Sequence, residues 1–198
     1  MRLAARSRCS AAALAALTVA ALAGCGGSST STQSGVPTGV WVSRVCGSLQ
    51  SWLGTVTKAP ASLESPAPTA GLADIKSALA GYLRDVATAS NTMLDNVKTA
   101  GHPAIDKGRL LENDFVNLLQ PVVSAFSDAE RRAEALPVND GNAFKDQAEQ
   151  IGNALNTAGD QAKTSFEKLK SKYPNQQLDS AFRNDPKCKS LNNASPSP

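Results

Sequence analysis

The chain contains a single histidine, His102, and that scarcity removes whole classes of chemistry. One imidazole cannot build the H-E-x-x-H zinc site, and the di-metal bundle pattern, which needs E-x-x-H on two helices, is excluded with it. The G-x-S-x-G elbow, a G-x-G-x-x-G loop after a strand and the D-x-[DN]-x-[DN]-G calcium loop are also missing. Gly101 to Gly108 encloses Lys107, but without Walker A spacing and after a helical pattern. Aromatic residues make up only 5% of the chain, and no run of alternating β-branched residues marks a strand. Beyond the N-terminus, no apolar run approaches the ~20 residues that span a bilayer. No catalytic residue, metal site or cofactor motif is read from the chain, and a non-enzymatic role is expected.

What the chain does have begins at its N-terminus. Arg2, Arg6 and Arg8 carry positive charge with no acidic neighbour, and residues 9–23 are then almost all Ala, Leu and Val. The run is short for a membrane span and has the flanks of a signal peptide. It closes on Leu22-Ala23-Gly24-Cys25. This stretch resembles the lipobox of bacterial lipoproteins, L-[AS]-[GA]-C in outline. The resemblance implies cleavage after Gly24, so that 1–24 is a signal peptide, and a thioether-linked diacylglycerol on Cys25. One acyl chain alone binds membranes marginally, whereas two or three hold a domain stably. The expected location is the extracytoplasmic face of the cell membrane, with the bilayer as a partner through the lipid anchor.

Cleavage changes two counts. Removing Arg2, Arg6 and Arg8 brings the twenty basic residues to seventeen, equal to the seventeen acidic ones. A balanced charge argues against nucleic acid as a partner. Of four cysteines, Cys9 leaves with the signal and Cys25 is acylated. Cys46 and Cys188 remain, and an exported pair is expected to bridge. A redox or metal role for them lacks both C-x-x-C spacing and histidine partners.

Residues 25–39 are Gly/Ser/Thr-rich and read as a tether with a coil reach of about 20 Å. Residues 191–198 read as a disordered tail. Between them, residues 40–190 form one domain of about 150 residues, enough for a single core. Its apolar positions recur at helical spacing. The first helix carries Trp41, Val45, Leu49, Trp52, Leu53 and Val56, and ends before the loop containing Pro60, Pro66 and Pro68. The second runs from Leu72 through Leu79, Leu83, Val86 and Leu94 to Val97, and stops at Gly101-His102-Pro103. The third runs from Ile105 to Ala133. Pro121 lies inside it, so a kink or break near Asn117–Pro121 is expected. The fourth, from about Asn142 to Tyr173, presents Phe144, Ile151, Leu155, Ala158, Ala162, Phe166 and Leu169. Its Ala-rich stripe, with Gly152 and Gly159 nearby, is expected to allow close packing. A final turn near Leu178 and Phe182 leads to Cys188. The fold class is therefore all-α: an antiparallel four-helix bundle with one disulfide. In that topology Cys46, Cys188 and the 101–104 loop share the end nearer the tether.

The remaining candidates are weak. His102 with Asp106 four residues on is a turn pair for which solvation is the simpler reading. Glu130 and Glu134 share a helix face beside Arg131 and Arg132, with Asp128 in reach of Arg132 at i,i+4, and read as a screened surface. Lys163, Lys168, Lys170, Lys172, Lys187 and Lys189 make the C-terminal region basic, which favours helix C-termini or an anionic lipid surface. Trp41 and Trp52 lie about three turns apart on one helix face, as ligand-lining or core aromatics.

The W-x4-C-G-x-L-x2-W start made by Trp41, Cys46, Gly47, Leu49 and Trp52, with an Ala-rich helical body and a lone late cysteine, resembles small secreted lipoproteins of high-GC Gram-positive bacteria. That resemblance implies no catalytic residues. The functional expectation is a membrane-tethered helical module that binds a cell-envelope partner. The alternative is a carrier of an apolar ligand or lipid held within the bundle.

Overall fold

Pro37 sets the start of the first helix: its fixed φ and missing N–H suit a helix boundary, and its carbonyl accepts the Trp41 N–H at 3.0 Å. The computed structural model describes residues 34–59, 63 and 70–194. The signal segment, residues 25–33 of the tether with Cys25, most of the Pro60–Pro68 loop and the end of the tail lie outside the described residues.

Six helices are described: α1 (Thr38–Val56), α2 (Leu72–Thr99), α3 (Gly108–Glu134), α4 (Gly141–Lys172), α5 (Gln176–Asn184) and α6 (Pro186–Ala194). Their starts are capped by side chains that the sequence supplies locally. Asp140 accepts the Asn142 and Ala143 N–H groups to start α4, Asn175 accepts the Leu178 N–H to start α5, and Asp185 accepts the Lys187 and Cys188 N–H groups to start α6.

The helices pack as an antiparallel bundle. α2 lies against α1 and α3, α4 against α3, and the short α5 and α6 return along α1. The expected final turn is thus two helices, and they bring the chain end back to its beginning. Burial divides into two clusters. One gathers Trp41, Val45, Met93, Val97, Phe115 and Leu169 near the 101–104 loop. The other gathers Leu83, Ala133, Leu136, Phe144 and Ile151 at the far end.

α3 is continuous across Pro121, so of the expected kink or break the break is absent. The cause is exposure. Pro121 and Asn117 both face solvent, where water satisfies the carbonyl that lost its helical partner, while buried Leu119, Val122 and Val123 hold the turns on both sides. The close packing expected around Gly152 and Gly159 is also absent. A Cβ at either position would meet nothing within 4 Å.

The tether's last residues are not free of the domain. Val36 donates its N–H to the His102 carbonyl and accepts from the Ala104 N–H, both at 2.8 Å, in a parallel bridge to Pro103. Gly35, at φ +148°, makes this close approach: a Cβ there would stand 2.9 Å from the His102 carbonyl oxygen. Residues 34–36 therefore form a strap across the 101–104 loop.

That loop is itself tightly wound. A Cβ on Gly108 would lie 2.0 Å from the Pro103 carbonyl oxygen, whereas one on Gly81 in α2 would meet nothing within 4 Å. Urea denaturation should show Gly108→Ala losing at least about 2 kcal/mol of stability, because backbone must move. Gly81→Ala should be neutral or gain up to about 1 kcal/mol through helix propensity. Equal effects of the two would contradict this account of the turn.

Candidate functional site

Cys46 of α1 and Cys188 of α6 are joined by a disulfide, their Cα atoms 5.1 Å apart. The bond also decides what stands beside it. Gly47 and Lys187, each one residue from a bridged cysteine, are pressed together. A Cβ on Gly47 would lie 3.1 Å from Lys187 Nζ and 3.3 Å from its Cδ, so the bare glycine gives the lysine stem its place against α1. One turn before Gly47, Arg44 reaches the last turn of α2, where its Nη1 lies 3.5 Å from the Ala100 carbonyl oxygen. A cation there also complements the negative end of α2.

Between these elements opens a cleft of about 580 Å³. Arg44 and Lys187 supply its charge, Asn96 an amide, and Ser48, Ser51 and Thr99 hydroxyls. The hydroxyls donate to the carbonyls of Arg44, Gly47 and Asn96, respectively. No carboxylate lines the cleft, and neither Arg44 nor Lys187 joins an ion pair among the described residues. A larger open recess of about 910 Å³ runs along α4, but its described lining comes from that helix alone and mixes Asp160 and Glu167 with Lys163, Lys168 and Lys172.

A polar cluster ties the end of α4 to α3. Asp114 Oδ2 accepts from Lys172 Nζ at 2.6 Å and from the Tyr173 hydroxyl at 2.7 Å. The hydrogen bond from Lys172, then that from Tyr173, hold the Asp114 carboxyl below its ordinary value. The bonds to Asp114 raise both Lys172 and Tyr173. At the other end of the bundle, Arg84 of α2 bonds both Glu130 and Glu134. This corrects the expected local pairing: Asp128 pairs with Arg131, and Arg132 reaches Gln150 at 3.2 Å.

Trp41 and Trp52 are packed into the bundle and do not line the cleft. Trp41 is 1% exposed, donates to the Gly101 carbonyl at 2.6 Å and meets Phe115 and Phe182 edge-on. Trp52 is half-buried, donates to Ser90 Oγ at 2.8 Å and meets Phe126 edge-on. His102 Nε2 lies 2.8 Å from the Ser34 carbonyl oxygen, which can only accept, so this nitrogen carries the proton and serves the strap. The described residues hold no group of three or more His, Cys, Asp or Glu side chains arranged for a metal ion. The cleft residues Arg44, Asn96 and Thr99 escaped sequence reasoning; Gly47 entered it only in the W-x4-C-G-x-L-x2-W start and Lys187 only among the C-terminal lysines. Comparison with protein-family models, curated proteins and solved structures finds no match to this chain.

The Asp114 cluster makes stability pH-dependent in a defined direction. A carboxyl lowered on folding stabilises fully above its unfolded value of 3.8, and that contribution is lost as pH falls through the lower folded value. Lys172 and Tyr173, raised from 10.5 and 10.0, contribute fully below those values and lose their contribution as pH rises through the higher folded ones. The Tm gap between the wild type and Asp114→Asn should be widest near neutrality and narrow below about pH 3 and above about pH 11. A pH-independent gap in thermal melts would contradict the assignment.

Proposed function

We propose that this protein is a membrane-anchored extracytoplasmic lipoprotein whose helical domain is a non-enzymatic module binding a protein partner in the cell envelope. The observation that carries the reading is the exposed length of α4. From Gly152 to Lys168, about five turns, no side chain is buried. Leu155, Ala158 and Ala162 are half-buried, and Asn153, Asn156, Thr157, Gln161 and Ser165 are exposed. Phe166, a member of the expected apolar stripe, is 42% exposed.

A helix gains most of its stability from burying an apolar face, so a long stretch without one depends on its ends. Ile151 and Leu169, both buried, supply those ends. The stretch between them offers amides, hydroxyls and mixed charge around one exposed aromatic. This combination suits a protein partner, where an aromatic anchor is ringed by polar contacts. Both recesses are open to solvent, which gives the carrier reading no support.

The anchor reading is supported by the order of basic region, apolar run and Leu22-Ala23-Gly24-Cys25. Cys25 lies nine positions before Ser34, where the strap on the 101–104 loop begins, so an anchor would hold the domain by that end.

A photo-reactive side chain placed at Lys163 or Phe166 should cross-link one envelope protein in intact cells, and one at Asp128 on α3 should not. Cys25→Ala should move the protein out of the membrane fraction. Cross-linking equal at all three positions, or a Cys25→Ala variant that stays with the membrane, would contradict the respective half of the proposal.

A further inference from the structure

We infer that the cleft between α1, α2 and α6 is a binding site for a phosphate group carried on a small polar organic moiety. The charge sets the ligand class. Arg44 and Lys187 face the same space from different helices, and no carboxylate lines that space or pairs with either cation among the described residues. Lys187 sits in the first turn of α6, where the Asp185 carboxylate caps the helix by accepting the Lys187 and Cys188 backbone N–H groups through Oδ1 and so answers the helix dipole. The Lys187 ammonium itself joins no ion pair among the described residues.

Both cations are solvent-exposed, and each is positioned by a contact of its own. The disulfide fixes α6 against α1 one residue away on each side, and Gly47 leaves the space that Lys187 fills. Arg44 is held toward the other wall by the Ala100 carbonyl. A guanidinium fork and an ammonium lining one recess suit an oxyanion with several acceptor oxygens better than a single carboxylate. The hydroxyls of Ser48, Ser51 and Thr99, whose protons go to backbone carbonyls, are left to accept from donor groups attached to it, and the amide of Asn96 can donate or accept. The cleft, about 580 Å³ and open to solvent, has room for more than a bare ion, with part of the ligand left exposed. The polar lining fits a headgroup and not an acyl chain. A phospholipid headgroup and a soluble phosphate ester share this chemistry.

The test uses the full chain carrying Cys25→Ser, so that no acyl group brings it to vesicles. Glycerol 3-phosphate is titrated by calorimetry at low salt, with glycerol as the uncharged control. Co-sedimentation is measured with phosphatidylcholine vesicles with and without phosphatidylglycerol. Saturable binding of glycerol 3-phosphate is expected, at least tenfold weaker in Arg44→Gln/Lys187→Gln and unchanged in the charge-matched Lys58→Gln/Lys170→Gln. Gly47→Ala, which displaces Lys187 while keeping both charges and the disulfide, should also weaken it. Vesicle binding that depends on Arg44 and Lys187 assigns the headgroup as source. Vesicle binding indifferent to them, with the glycerol 3-phosphate result intact, assigns a soluble ester. Saturable binding in neither arm, or equal weakening by the two double variants, overturns the inference.

Discussion

The Cys46–Cys188 bond is the constraint on which the rest of the structure depends. It joins positions 142 residues apart, so it removes more unfolded-state freedom than a local bridge would. The chain-entropy estimate for a loop of that length is about 5 kcal/mol, comparable to the whole stability of many domains. Its local role is sharper still. α5 and α6 are nine residues each, too short to persist alone. They stay helical because Leu178, Phe182 and Cys188 join the cluster around Trp41. The covalent bond converts a fraying C-terminus into part of the wall of a cleft.

The same end of the bundle collects most of the molecule's specific hydrogen bonds between distant segments. Trp41 reaches Gly101, Arg44 reaches Ala100, the strap at Val36 brackets His102 and Ala104, and Tyr173 reaches Asp114. Order is concentrated there, where the chain arrives from its N-terminal segment. α4 leaves that end with little burial until Ile151. The two proposals therefore rest on different physics: an open, cation-lined cleft beside the disulfide, and a long polar helix face held mainly at its ends.

The fold was legible in the sequence to the extent that it depends on apolar periodicity. The Leu, Val and Phe spacings located four long helices, and export logic paired the two cysteines. Backbone pairing left no such trace. The strap at Val36 bonds through main-chain groups, and only Gly35 hints at it. Periodicity also says which face of a helix is apolar, not how far a neighbour extends along it. Phe166 and Gly159 sit in a helical pattern as regular as that around Phe144, yet they are exposed because, among the described residues, no neighbour buries that part of α4. Arg84 chose Glu130 and Glu134 across a helix interface over any partner on its own helix, a choice set by packing. Arg44 and Lys187 line one cleft because α6 packs on α1, where the disulfide joins the two helices. Lysines and arginines read singly on the chain carry no sign of convergence.

Backbone hydrogen exchange on the oxidised and reduced protein tests the central claim most directly. The account predicts that reduction strips protection from α5 and α6, and with it the α6 wall of the cleft, while α2 and α3 keep theirs through the far cluster around Leu83, Ala133 and Leu136. Unchanged protection in α5 and α6 after reduction, or loss of protection throughout the domain in one step, would contradict it.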